Sequence, residues 1–423
     1  MGKLSIKGGK PLAGEVKVQG SKNGALPLMT ASVLIRGKTV LHNCPEIRDI
    51  EAMSELLETI GCKLESEQNT ITIDATNIFD TNCPEKQVQA MRSSVMLLGP
   101  MLGRCGRICM SRPGGCVIGA RPTDIHRRAL EQMNVLFEEQ GDTLTACTRQ
   151  LTGADILLPF PSVGATENVI MAAVLAKGVT RLRNAAKEPE ITLLCDFLRK
   201  AGARIKGIGE ADLEIEGVEC LHEVHMTVMP DRIVAGTYLL AAAATRGQVL
   251  LRDAPTRQMQ SLIGLLRKMG AGIITDTDLV YMDAEDKLSI PEYVCTEVYP
   301  GFPTDLQSML LSVLAASRGS GIVEETIFED RFKIVPELQK MGADMRVDGK
   351  KVHVRGVPRL RGAELEACEL RGGAALVIAA LSAKGESTLA GCRYIERGYE
   401  DIVRDLRSLN ADIQIRREDV PIQ

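Results

Sequence analysis

Six stretches of the chain end in the same way. "LLETIGCKL", "ALEQMNVLF", "FLRKAGARI", "LLRKMGAGI", "ELQKMGADM" and "DLRSLNADI" each carry an amphipathic helix into Gly or Asn and then into an apolar strand. The turn residues are Gly61, Asn134, Gly202, Gly270, Gly342 and Asn410, spaced 68 to 73 residues apart. Gly and Asn suit the left-handed position that follows a helix. Six units of this length fill a chain of 423 residues.

Upstream of each turn lies a helix made of apolar and small residues: "ALPLMTASVLI", "SSVMLLGPML", "NVIMAAVLA", "AGTYLLAAAA", "QSMLLSVLAA" and "AALVIAALSA". A helix that is apolar on every face must be surrounded by other elements. The unit therefore reads strand, buried helix, strand, amphipathic helix, strand, with room for one further strand. Sheets are expected outside and the apolar helices inside. Six units suggest two α/β domains of three units each, joined near "MPDRI" (229–233). A solenoid would use repeats of about 20–50 residues and leave its helices exposed. Closed lobes with a cleft between them fit better.

Composition narrows the function. Hydrophobic residues make up 45% and charged residues 25%, as in ordinary globular proteins. A net charge of −4, with 3% aromatic residues and no Trp, argues against nucleic acid as a partner. The N-terminal stretch lacks the apolar run of a signal peptide, and apolar stretches such as "YLLAAAA" (238–244) are too short to span a bilayer. No membrane insertion and no obligate protein partner are expected. The twelve cysteines are scattered without a C-x-x-C pair, which suits free thiols and a cytoplasmic location. His222 and His225 in "LHEVH" lack a third ligand nearby, so no metal is expected. Walker A, G-x-G-x-x-G and G-x-S-x-G motifs do not occur.

Polar residues gather where the helices begin. The buried helices open on "GSKNG", "AMRSS", "PSVGATEN", "MPDRI", "FPTDLQS" and "ELRGG". The second helices open on "EIRD", "GARPTD", "KEPE", "PTRQ", "FEDR" and "IERGYE". Capping alone would account for Asp231 or Asp305. It does not account for cations, which the helix dipole disfavours at an N-terminus. Lys22, Arg92, Arg121, Arg371 and Arg397 therefore call for an anion, and phosphate or carboxylate is the natural class. In "SRPGGCVIGARPTDIH", Cys116 sits on a Gly-rich turn behind Pro113. Arg112 and Arg121 flank it and would favour its thiolate.

These residues match a known family. "GSKNGALP" (20–27), "RPGGCVIGARPTDIH" (112–126), "SVGATEN" (162–168), "YPGFPTDLQ" (299–307) and "YIERGYE" (394–400) run through the chain in order. With them the whole sequence resembles the enolpyruvyl transferases, and within them the group acting on UDP-N-acetylglucosamine (UDP-GlcNAc). The resemblance implies two inside-out α/β domains, residues 22–229 and residues 1–21 with 230–423, with the active site in the cleft between them. The first and last strands of the chain would share the second domain. It also implies transfer of enolpyruvyl from phosphoenolpyruvate to the 3′-hydroxyl of UDP-GlcNAc through a tetrahedral intermediate, without a cofactor. Both substrates are small molecules.

The resemblance further assigns roles. Cys116 would act as general acid at C3 and can form an adduct with phosphoenolpyruvate, on a loop that closes over the substrates. Asp305 would deprotonate the sugar hydroxyl. Lys22, Asn23, Arg121 and Arg397 would hold phosphoenolpyruvate. UDP-GlcNAc would meet Asn23, Arg92, Arg121, Pro122, Thr123, Asp124, Ile125, Ser162, Val163, Gly164, Asp305 and Ile327. Glu188, Asp231, Arg331 and Arg371 also fall at family-like positions, with no role assigned. Two positions depart from some members: Met96 stands where they carry Trp, and Phe160 where they carry Lys. Rival readings are the sister transferase using shikimate 3-phosphate, which would lack the cysteine loop, an RNA-end phosphate cyclase, and an inactive regulatory paralogue.

Overall fold

The computed structural model of the chain describes residues 2–114, 123–286 and 288–416. Their strands form six four-stranded sheets built on one plan. In one sheet, Asp155–Leu157 runs parallel to Val179–Arg183, and Leu213–Glu216 pairs antiparallel beside it. Arg204–Lys206 closes that sheet as an antiparallel edge strand. Helix Val163–Ala173 joins the parallel pair, and helix Pro189–Lys200 leads to the edge strand. The other five sheets keep this strand order. The further strand left open by the sequence is thus present in every unit. The strand after each turn residue is less apolar than expected. Lys63–Glu67 and Leu136–Gln140 bury none of their residues, because each is an edge strand.

All six turn residues have positive φ, from 66° at Asn410 to 114° at Gly61. The local signal was sufficient there. The first strands of the units are less simply placed. Ala13–Lys17 precedes the first buried helix in sequence, yet it pairs with Gln248–Arg252. Val224–Thr227 precedes the fourth buried helix and pairs with Lys38–His42. Units one and four have exchanged their opening strands. Lys3–Gly8 pairs with both Gly385–Ala390 and Asp412–Arg416, so the two ends of the chain do share a sheet.

The described residues divide into two compact units. One takes in residues up to Gln19 and those from Pro230 onward; the other runs from Gly20 to Met229. Each has its own apolar core. In the first, helices Arg232–Thr245, Gln307–Ala315 and Leu370–Ser382 pack against one another. Every residue of Gln307–Ala315 is buried. Two of their hydroxyls are satisfied internally: the Thr237 hydroxyl lies 2.8 Å from the Tyr399 hydroxyl, and Ser312 donates to the Ala375 carbonyl at 2.7 Å.

In the second unit, helix Leu98–Cys105 packs on helix Val163–Ala173 and on Ser32–Leu34, the short turn that continues helix Lys22–Ala31. Backbones approach closely at Gly99. A Cβ there would stand 2.3 Å from the Asn168 carbonyl oxygen. The Gly99 amide also donates to Asn168 Oδ1 at 2.6 Å. Gly99→Ala should therefore push the two helices apart and cost about 1–3 kcal/mol. Urea unfolding of both proteins checks this, and an unchanged midpoint would refute the close approach.

Candidate functional site

The polar helix starts are divided between the two units. In the unit from Gly20 to Met229, Ser21 caps helix Lys22–Ala31 by accepting from the Gly24 amide at 3.1 Å. Lys22 Nζ lies 2.6 Å from Asp49 Oδ2, with the two side chains 11% and 4% exposed. Asp49 stands in the first turn of helix Arg48–Thr59. A protein carboxylate thus meets this cation, where sequence reasoning asked for a bound anion. Asn23 follows Lys22, half-buried, and Arg92 begins the turn Arg92–Leu97, also half-buried.

Two of the expected nucleotide-contacting runs come together here. Ser162 caps helix Val163–Ala173 by accepting from the Ala165 amide at 3.4 Å. Thr123 precedes helix Asp124–Glu131, and Ile125 packs on the core. His126 joins them, because a Cβ on Gly164 would stand 3.0 Å from His126 Cε1. Asn168 sets the state of the imidazole. Its Oδ1 accepts from Gly99, so its Nδ2 is the atom 2.9 Å from His126 Nδ1, and the ring proton belongs on Nε2. Asn168 Nδ2 also approaches the Val95 and Gly164 carbonyls at 3.1 and 3.3 Å. Burial first, and then the nearby Arg92 charge, lower the His126 pKa to about 4. Neither His126 nor Asn168 was among the expected site residues, although both lie within the quoted motifs.

Glu167 is a second omission. It is 1% exposed, and its Oε2 has no hydrogen-bond partner among the described residues. Burial, followed by the charges of Glu190 and Glu188, holds its carboxyl well above the usual range. Glu188 and Glu190 stand at the start of helix Pro189–Lys200. Met96 packs against the core and Phe160 is 41% exposed. Cys116, Arg121 and Pro122 lie outside the described residues.

In the other unit the organising group is Asp305. Arg331 Nη2 donates to its Oδ1 at 2.7 Å, and Arg371 Nη2 donates to its Oδ2 at 2.9 Å. The two arginine side chains are 1% and 6% exposed, while Asp305 is 27% exposed. Capping, the simple reading of Asp305, is therefore not what positions this carboxylate. Asp231 does cap its helix, accepting from the Ile233 and Val234 amides at 2.8 and 3.0 Å. Burial opposes the charge on Arg371, but Asp305, Tyr399 and Asp231 outweigh it and raise its pKa. Arg331 Nε and Arg371 Nη1 remain buried without an acceptor among the described residues. Buried guanidinium donors in that condition suit an anion or an ordered water.

Two braces that the sequence did not reveal hold this end of the unit. Glu325, 1% exposed, accepts from the Ile327 and Phe328 amides at 2.8 and 3.1 Å and from the Thr304 hydroxyl at 2.9 Å. It ties Ile327 to the residue beside Asp305. The Phe328 ring lies 5.2 Å from the Arg331 guanidinium, which adds a second route to the same carboxylate. Gln19 accepts from the Glu400 amide at 2.9 Å and donates to the Gly398 carbonyl at 3.2 Å. Those bonds fix the segment that follows Arg397, the last residue of the turn Cys392–Arg397.

The depressed His126 pKa has a stability consequence. Between pH of about 6.5 and about 4, an unfolded histidine takes a proton that the folded one refuses, so stability falls as pH falls through that window. The loss from this group should approach about 3 kcal/mol. His126→Gln should lack that slope. Urea unfolding of both proteins near neutral and near pH 4.5 tests this, and equal losses would contradict it.

Comparison with known proteins identifies the family. Residues 6–406 match the family described as EPSP synthase (3-phosphoshikimate 1-carboxyvinyltransferase). The UDP-N-acetylglucosamine 1-carboxyvinyltransferase 2 of Caldanaerobacter subterraneus is 45% identical over 413 residues, covering 98% of this chain and 99% of its own. The UDP-N-acetylglucosamine 1-carboxyvinyltransferase of Solidesulfovibrio magneticus is 43% identical over 414 residues, with the same coverage. Among solved structures, the enolpyruvyl transferase NikO of Streptomyces tendae superimposes with a TM-score of 0.88 at 25% identity, covering 98% of both chains. EPSP synthase from Acinetobacter baumannii gives a TM-score of 0.75 at 19% identity, over 99% of this chain and 100% of its own, which speaks to the fold alone. With near-complete coverage at such identity, the chain belongs to the enolpyruvyl transferase family, in the group of the UDP-N-acetylglucosamine 1-carboxyvinyltransferases.

Proposed function

We propose that this protein transfers the enolpyruvyl group of phosphoenolpyruvate to the 3′-hydroxyl of UDP-GlcNAc and releases phosphate, the first committed step of peptidoglycan synthesis. The observation that carries the reading is near-full-length identity of 41–45% to relatives that bear that activity in their names. The chemistry needs three kinds of group. A base must accept the hydroxyl proton as oxygen attacks C2. An acid must protonate C3. Cations must hold the phosphate and carboxylate while the tetrahedral ketal forms and then, as C3 gives up a proton and the C2=C3 bond reforms, expels phosphate.

Asp305 suits the first task. Its two guanidinium partners orient the carboxylate. Cys116 is proposed for the second, as general acid at C3, and the same thiol is proposed to form an adduct with phosphoenolpyruvate. Lys22, Asn23, Arg121 and Arg397 suit the third. Arg92, Thr123–Ile125, Ser162–Gly164 and Ile327 are proposed to hold the nucleotide sugar. A place in cell-wall building, and so in cell division and cell shape, follows from the product. The exposed thiols Cys105, Cys220 and Cys368 are compatible with a reducing cytoplasm.

Phosphate release from phosphoenolpyruvate, measured with UDP-GlcNAc or shikimate 3-phosphate supplied separately, tests the substrate pair. Release with UDP-GlcNAc alone is expected, and release only with shikimate 3-phosphate would move the chain to the sister activity. Cys116→Asp should retain turnover while losing inactivation by an epoxide such as fosfomycin; continued alkylation at that position would sink the assignment. Glu325 is a positioning residue in this scheme. Glu325→Ala should lower kcat/KM for UDP-GlcNAc by about 10- to 100-fold, with Glu325→Gln restoring most of it. Equal kinetics for the alanine variant and the parent would show that the brace does not act on Asp305.

A further inference from the structure

The three buried helices of the unit that holds Asp305 have polar N-terminal ends, but their C-terminal ends line a depression of about 650 Å³. Thr245 and its cap Arg246, Ala316, and Ser382 with Lys384 form its floor and wall. Lys10 and Arg359 complete the rim. The four cations Lys10, Arg246, Arg359 and Lys384 face one acidic side chain there, Glu285, whose Oε1 already accepts from Gln248 Nε2 at 2.8 Å. None of the four forms an ion pair among the described residues.

Helix ends explain part of this charge. A C-terminus carries about half a negative charge, so three of them call for between one and two cations. Four cations against one carboxylate leave a formal surplus of three, about twice what the dipoles neutralise. The other unit supplies an internal control. At the C-terminal ends of two of its buried helices lies a depression of about 640 Å³, lined by Arg149, Lys177 and Glu219 as its charged residues. One surplus positive charge there balances two helix ends. The fold makes the depression in both units. Lys10 and Arg359 make one of them electropositive.

We propose that this depression binds a small phosphoryl polyanion, with Lys10, Arg246, Arg359 and Lys384 as its ligands. It is separate from the Asp305 cluster. Arg232–Thr245 runs 14 residues from the Asp231 cap to Arg246, so the two ends lie about 20 Å apart along the helix axis.

Isothermal titration of the full chain with inorganic pyrophosphate tests the proposal without requiring turnover, so it stands apart from the proposed activity. A set of sites that weakens about tenfold or more in Lys10→Ala/Arg359→Ala is expected. Arg149→Ala/Lys177→Ala should leave that set unchanged, and phosphate release without pyrophosphate should be unaltered in both variants. The single changes Lys10→Gln and Arg359→Gln, each giving a partial loss, guard against a double variant that fails to fold. Unchanged affinity and stoichiometry in the double variant would overturn the site. So would an equal loss in the Arg149/Lys177 control, or capture by phosphatidylglycerol vesicles without pyrophosphate binding.

Discussion

A helix with no polar face cannot touch water along its length, and six such helices decide most of this structure. Each must be covered on every side, so the sheets and the amphipathic helices become the wrapping. Most of the charged side chains on the buried helices then gather at the helix ends, with Glu167 and Asn168 about a turn inside helix Val163–Ala173. Lys22, Ser162, Asp231, Asp305 and Arg371 all stand within a residue or two of an N-terminus. Function at those ends is a consequence of the packing.

Charge at the helix starts has to be neutralised from within the protein before any ligand arrives. Lys22 meets Asp49, and Asp305 meets Arg331 and Arg371, in pairs whose cations are largely buried. Removing one partner would leave a buried charge, which typically costs 3–5 kcal/mol, far more than an exposed pair contributes. Such pairs hold side chains in one geometry, as a reaction with two anionic centres requires. Donors on Arg331 and Arg371 that find no acceptor among the described residues show that the clamp on Asp305 does not exhaust the hydrogen-bonding capacity of its arginines.

What was legible in the sequence was local. The six left-handed turn residues could be read one by one, since Gly and Asn adopt that conformation without help from distant residues. Buried helices were legible for the same reason, and so was the Asp231 cap. The partners of Asp305 lie 26 and 66 positions away, and no periodicity links them. Glu325, Glu167 and Asn168 were missed on similar grounds, because an acid or amide looks alike in sequence whether it braces a turn or faces solvent. The edge strands erred in the opposite direction. Their few inward residues resembled an apolar strand until the sheet order showed one side exposed.

The exchanged strands show why a repeat in sequence need not be a repeat in space. Ala13–Lys17 and Lys3–Gly8 are made first, yet their partners begin at Gln248 and Gly385. Pairing them requires closing very long loops, whose entropy must be lost before any contact compensates for it. The unit from Gly20 to Met229 contains every strand of its three sheets, including Val224–Thr227, and can complete them without the rest of the chain. The other unit cannot close its last sheet until Asp412–Arg416 has emerged beside Lys3–Gly8. Topology therefore orders assembly: the unit bearing Lys22 and Arg92 is complete first, and the unit bearing Asp305 waits for both ends of the chain.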